Sequence, residues 1–228
     1  MALPYKAHDL FLVAVDCIIF GFDGKELKVL LVKRSFEPAK GGWSLIGGFV
    51  KKEESVEAAA GRILYNLTGL TDIYMEQISC FSNPNRDPGG RVLSIAFFAL
   101  IKIDDYPADL MEQHNSGWFP LYKVPPLIFD HRKMLQMAKA GLQAKAASHL
   151  IGFELLPKKF TLQQLQGLYE AIYETVLDKR NFTRKILSLN VLRKLNEKEK
   201  ESSRKGAYYF VFDRRKHAKQ TEKSMMFL

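Results

Sequence analysis

The sequence predicts an α+β protein of two domains, and three observations carry that prediction. Apolar stretches of strand length alternate with strongly helical segments through the first 150 residues. Beyond that point the pattern changes to two short amphipathic helices followed by a strand, a polar loop and a strand. Charge segregates at the same place: residues 1–150 hold 17 Lys and Arg against 16 Asp and Glu, whereas residues 151–228 hold 17 against 9. A near-neutral domain over 1–150 and a basic one over 151–228 are therefore expected, with the change falling between Ser148 and Lys159. Such segregation suits one domain that meets a polyanion, although a solvated basic tail has the same charge.

In the first domain, residues 10–20 (LFLVAVDCIIF) and 26–34 (ELKVLLVKR) read as strands joined by a turn at Gly21, Asp23 and Gly24. A glycine-rich loop, GGWSLIGGF, comes after them. Next is a helix from about Ser55 to Thr68, with Ser55 as its N-cap and Gly69 as its stop. Strands fit 73–82 and 91–102, flanking the loop NPNRDPGG, and 131–147, rich in Ala, Lys and Met, reads as a helix. Apolar residues make up 47% of the chain, enough for a real core. No apolar run approaches the roughly 20 residues that span a bilayer. The start, MALPYKAHDLF, lacks the layout of a signal peptide, so a cytoplasmic protein with no membrane partner is expected. Cys17 and Cys80 lie in apolar stretches without metal-ligand spacing and read as buried free thiols.

The stretch from Gly48 to Leu70, GFVKKEESVEAAAGRILYNLTGL, resembles the Nudix box. Gly48, Glu54, Arg62, Leu64, Gly69 and Leu70 match its spacing, while Ile63, Asn66 and Leu67 stand where the family has three further glutamates. Positions i, i+3 and i+4 share one helix face, so three carboxylates there would converge on a divalent cation. Two aliphatic side chains and a neutral amide cannot do so. Glu53, Glu54 and Glu57 then serve mainly to favour the positive end of the helix dipole. No metal, no cofactor and no catalytic residue is expected, and the resemblance implies an α/β/α sandwich whose chemistry has been lost.

A disabled pocket can still bind. Arg34 and Glu37 come after the second strand, Trp43 and Phe49 lie in or beside the glycine-rich loop, and Arg86, Asp87 and Arg91 surround a turn. With Asp130 and His131 they form the expected ligand-binding set. Polar groups beside aromatic rings suit a sugar, because guanidinium and carboxylate groups pair with adjacent hydroxyls while a ring packs on the sugar's apolar face. The missing metal site argues against a diphosphate. Each residue has a structural alternative: Trp43 and Phe49 read first as core or loop-packing residues, Arg86 and Asp87 fit a turn with a local ion pair, and Asp130 and His131 fit a helix cap.

In the second domain, Thr161 and Gln164 form a capping box ahead of Leu162, Leu165, Leu168, Tyr169 and Ile172 at helical spacing. A second helix, 178–189, is capped by Asp178, with Phe182, Ile186 and Leu187 expected to face the core. Lys179, Arg180, Asn181, Thr183, Arg184 and Lys185 are then left on the surface, as in the reading helix of a helix-turn-helix. Residues 191–213 read as a wing, with Arg204 and Lys205 near its tip, placed for phosphates. A helical-hairpin dimerisation module is the alternative.

A degenerate Nudix domain ahead of a winged helix resembles the Nudix-related transcriptional regulators, which include the NAD-metabolism repressors called NrtR and the arabinose-responsive regulators called AraR. Segments 16–22, 30–56, 127–131, 151–174 and 178–182 look particularly like the second group. The resemblance implies a homodimer on a double-stranded, inverted-repeat DNA operator, released by a small sugar ligand such as L-arabinose or a related pentose. The competing expectations are a hydrolase of ADP-ribose or a nucleotide sugar, and a regulator that senses ADP-ribose. The stretch after Asp213 reads as a basic arm or as a dimer contact.

Overall fold

The computed structural model describes residues 4–71, 73–148, 151–200, 206–213 and 215–216. The first domain contains β1 (Leu12–Phe22), β2 (Leu27–Lys33), β3 (Trp43–Ser44), β4 (Ile46–Phe49), α1 (Val56–Thr68), β5 (Tyr74–Phe81), β6 (Val92–Leu100), α2 (Ala108–Gln113), β7 (Ser116–Pro120) and α3 (His131–Ser148). Its sheet runs β3-β2-β1-β6-β5, with β4 added to β1 and β7 to β2. Strands β1 and β6 pair in parallel, from Leu12↔Val92 to Phe20↔Leu100.

Strand β1 explains the layering. Successive strand residues point to opposite faces. Val15, Cys17 and Ile19 pack with Ala59, Ala60, Ile63 and Leu64 of α1. Ile18, Phe20 and Phe22 instead pack with Met134, Leu135, Ala138 and Leu142 of α3. A strand covered on both faces needs an unbroken apolar run, which is what 17–20 supplies. The result is an α/β/α sandwich. Helix α1 starts where Ser55 accepts a hydrogen bond from the Ala58 N–H and stops at Gly69, whose φ of 68° a side chain would resist.

The second domain contains β8 (Phe160–Thr161), α4 (Leu162–Tyr173), α5 (Lys179–Ser188), β9 (Leu192–Glu199) and β10 (Ala207–Phe212), the strands ordered β8-β10-β9. Both bonds of the Thr161–Gln164 capping box form, and Asp178 accepts from the Asn181 N–H. Leu165, Leu168, Tyr169 and Ile172 meet Phe182, Ile186, Val191 and Phe210 in the same apolar cluster that holds α3 and one face of the large sheet. Among the described residues no helix is long and apolar enough to cross a membrane.

Three expectations need correction. Leu187 is 45% exposed; the third core residue of that turn is Leu189, because the buried arc of the helix has passed by the residue after Ile186. Cys80 is exposed, since β5 is an edge strand, while Cys17 is buried as expected. Lys185 is half-buried rather than free on the surface, and burial lowers its pKa. The short strands β3 and β4 inside the glycine-rich loop, and the α2–β7 unit, gave no periodic signal because two to six residues are too few to show a period.

Candidate functional site

A cleft of about 500 Å³ opens beside β1 and β4, with Ile63, Asn66 and Leu67 of α1 on one wall and Arg34, Phe36 and Phe129 on another. Its depth is a charged cluster. The Arg86 guanidinium, side chain only 3% exposed, grips Asp130 through two hydrogen bonds, Nε to Oδ2 at 3.0 Å and Nη2 to Oδ1 at 2.8 Å. It also stands 3.6 Å from Asp16 Oδ2. Asp16 accepts from Ser94 Oγ at 2.5 Å. His131 Nδ1 accepts from the Leu45 N–H at 3.1 Å, so its ring proton sits on Nε2, 3.7 Å from Asp16 Oδ1. Burial pushes the His131 pKa down, partly opposed by Asp16. Gly47 makes room for this cluster, since a Cβ there would collide with Asp16 Oδ1.

Arg34 differs from Arg86. Its Nε donates to Phe36 O at 3.2 Å, and its guanidinium lies 3.9 Å over the Phe36 ring and 5.4 Å from that of Phe129. Among the described residues, no carboxylate pairs with it. The two rings hold a cation in place at the cleft wall.

The cleft does not fit the divalent cation of the Nudix box. Ile63 and Leu67 are buried aliphatic side chains. The remaining carboxylate, Glu54, is occupied by Arg62, Nη2 to Oε1 at 2.5 Å and Nε to Oε2 at 2.9 Å. That guanidinium, with the Lys51 N–H, holds the Glu54 pKa at about 2. Among the described residues, no group of three or more His, Cys, Asp and Glu is arranged to hold a metal ion.

Of the residues expected to bind ligand, Arg34, Phe49, Arg86, Asp87 and His131 line the cleft, and Asp130 stands behind Arg86. Trp43, Glu37 and Arg91 do not. Trp43 packs edge-on against Phe119, ring centroids 4.7 Å apart, because its strand pairs with β2. Glu37 is exposed and accepts weakly from the Lys40 N–H at 3.4 Å. Arg91 is tied to Ser82 O at 2.9 Å and lies over Phe11. Asp16, Ser94, Phe36, Phe129 and His114 were missed, and Arg62 was read only as part of the Nudix box. A signal for Asp16 existed: a lone carboxylate inside an apolar strand is the informative kind of buried residue.

The basic helix α5 turns Phe182 and Ile186 inward and leaves Lys179, Arg180, Asn181 and Arg184 exposed. Thr183 is half-buried, and Arg184 Nη2 donates to Asn181 Oδ1 at 2.8 Å. Asp178, Lys179, Arg180, Thr183 and Arg184 line one shallow concavity. Arg204 and Lys205 lie outside the described residues. The wing instead presents Lys194 and Lys198 on β9, 3.6 and 4.7 Å over the Tyr208 ring of β10.

Comparison with known proteins bears on both sites. A model of the NUDIX domain matches residues 10–138, and a model of the NrtR DNA-binding winged helix domain matches residues 152–212. The ADPR responsive transcriptional repressor NtrR of Acinetobacter baylyi is 34% identical over 202 residues, 87% of this chain and 81% of that protein. Shewanella oneidensis NrtR, in a crystal structure complexed with a 27mer DNA, is similar with a TM-score of 0.82 at 28% identity, covering 90% of this chain and 95% of that one. The NUDIX domain of the same Shewanella protein, complexed with ADP ribose, is 32% identical with a TM-score of 0.52, covering 62% of this chain and 94% of that one. These likenesses run to NrtR-type regulators; the nearness to arabinose-responsive regulators expected from the sequence does not follow from them.

Proposed function

Because this chain belongs to the Nudix family and joins that domain to an NrtR-type winged helix, we propose that it is a transcriptional repressor that holds operator DNA until ADP-ribose enters its cleft. The observation that carries the ligand is Arg34. Arg34 stands without a carboxylate partner among the described residues, braced by two aromatic rings at the wall of the cleft. A guanidinium matches phosphate oxygens two at a time, and such charge-assisted bonds contribute about 1.5–3 kcal/mol each. Part of the charge that a metal ion offsets in a Nudix enzyme is met in this reading by Arg34. The expectation that a lost metal site argues against a diphosphate therefore gives way.

A pentose fits less well. It would leave most of a 500 Å³ cleft unfilled and would give Arg34 no anion to meet. Phe36 and Phe49, 55% and 50% exposed beside the cleft, are apolar rings left in water that an adenine could cover. With aliphatic residues at two of the three cation positions, the phosphoanhydride is bound without metal-assisted cleavage. On the DNA side, Lys179, Arg180, Asn181 and Arg184 enter the major groove and the β9–β10 wing meets the backbone. Two copies read an inverted repeat with half-sites about 34–36 Å apart.

The test is a fluorescent duplex selected by the protein from a random library, with anisotropy measured against added ligand. ADP-ribose should weaken binding at least tenfold with or without magnesium, L-arabinose should do nothing, and Arg34→Ala should raise the ADP-ribose concentration needed by tenfold or more. Release by L-arabinose alone, or rapid magnesium-dependent breakdown of ADP-ribose, would reverse the assignment.

A further inference from the structure

The cleft and the basic helix are joined by one continuous set of contacts, and we infer that α3 is the strut through which cleft occupancy reaches α5, with Gln143 as its coupling joint. This rests on the ligand reading above and adds how that ligand would act. At its head, α3 is part of the cleft. Asp130, the residue before it, is locked to Arg86, and His131, its first residue, is hydrogen-bonded to Leu45 and faces Asp16. Phe129 stands edge-on to His131 at 5.7 Å and beside Arg34 at 5.4 Å, so it lies between the anchor proposed for the ligand and the first residue of the helix. Phe129 also has a φ of 48°, a conformation uncommon for any residue with a side chain and held only where the surroundings dictate it.

Twelve residues on from His131, about 18 Å along the helix axis, Gln143 Nε2 donates to Ile172 O at 2.8 Å. Ile172 lies in the last turn of α4, where carbonyls have no partner within their own helix. Beside it, Lys139 pairs with Glu174, the C-cap residue of α4, at 2.7 Å. Helix α3 thus completes the end of α4. The turn between α4 and α5 is bound to α4 just as firmly. The Leu177 N–H donates to Glu170 Oε1 and Leu177 O accepts from Gln166 Nε2, both at 2.9 Å. Asp178 then caps α5. A displacement of the α4 terminus carries the turn with it, and the turn carries α5. Since packed interfaces switch between discrete arrangements rather than bending smoothly, a ligand that reorganises Arg86 and Asp130 can shift α5.

The joint can be broken without touching either site. Gln143→Met keeps the length of the side chain and removes its donor; Gln136→Ala, on the exposed face of the same helix, is the control. In the full chain, Gln143→Met should bind ADP-ribose and operator separately within about twofold of the parent, yet lose at least four-fifths of the ligand-induced change in operator affinity. Full retention of that change in Gln143→Met overturns the strut. A second arm needs no ligand. Asp130→Asn frees the head of α3, so it should alter operator affinity at least threefold in the parent and leave it unaltered in the Gln143→Met background. Equal effects in both backgrounds overturn the strut as well. Non-additivity in this arm, combined with indifference of the parent protein to ADP-ribose, would retain the strut and discard the ligand.

Discussion

Arginines in the two halves of the molecule have opposite standing. Arg86 is sealed in, its side chain 3% exposed, with one carboxylate gripped at two points and a second at 3.6 Å. Arg180 and Arg184 stand in solvent on α5, and among the described residues no carboxylate pairs with either. The chemistry of the side chain is the same; the thermodynamic consequence is not. A desolvated guanidinium between carboxylates is part of the fold, because removing it strands buried charge. An exposed guanidinium contributes little to folding and is available to a phosphate or a guanine edge. Arg34 falls between the two: positioned by rings, with no carboxylate paired to it among the described residues.

The largest effect should come from Arg86→Met. It removes the cation and leaves Asp16 and Asp130 facing each other in a half-dry cleft, which should cost about 3–5 kcal/mol of stability, read from urea denaturation. A loss below about 1 kcal/mol would mean that the cluster is wetter than its burial implies, and the contrast with α5 would fail. Next in size is Arg180→Ala. If it contacts a base edge, operator affinity should fall by about 1–3 kcal/mol while the urea midpoint barely moves. If it contacts a phosphate, the loss should be similar across sequences and the salt dependence should weaken by about one counterion. A destabilised fold with unchanged operator affinity would invert the comparison.

The same contrast separates the features legible in the sequence from those that were not. Sheet, helices and caps were legible wherever a segment was long enough to show a period and its end residues had a local hydrogen bond to make, as at Ser55, Thr161 and Asp178. The basic face of α5 was legible because exposed charge on a short helix is visible in the sequence itself. The cleft was legible only in part. Asp16, Arg86 and His131 lie far apart in the chain, and their meeting depends on the β1–β6 register and on the start of α3. Trp43 illustrates the converse: an aromatic residue in a glycine-rich loop fits either packing or a ligand platform, and a two-residue strand turns it against Phe119. Ile63, Asn66 and Leu67 were visible where the Nudix box has glutamates, and Arg34 was visible as a candidate ligand residue; its bracing was not, since Phe36 and Phe129, whose rings lie against it, are far apart in the chain.

The smallest effect is a matter of pH and concerns His131, whose ring faces Asp16, Arg86, Asp130 and Arg34. Burial lowers its pKa in the folded protein, with Asp16 pulling the other way. In the unfolded chain the imidazole takes up its proton near pH 6.5. Just below that pH the unfolded state therefore binds more protons than the folded state, so stability rises with pH across this window and levels off above it. The contribution of neutral His131 is thus complete above about pH 6.5 and is lost as the pH falls towards the folded-state value. His131→Gln, which keeps a polar group beside Leu45 but cannot titrate, should flatten the decline in urea midpoint between pH 7 and pH 5. The remaining histidines, His8, His114, His149 and His217, are unchanged in both proteins, so the difference between the two curves isolates one ring. Parallel curves would mean that His131 is solvated well enough to titrate alike in both states, and the cleft would then resemble the open face of α5 more than its own buried arginine.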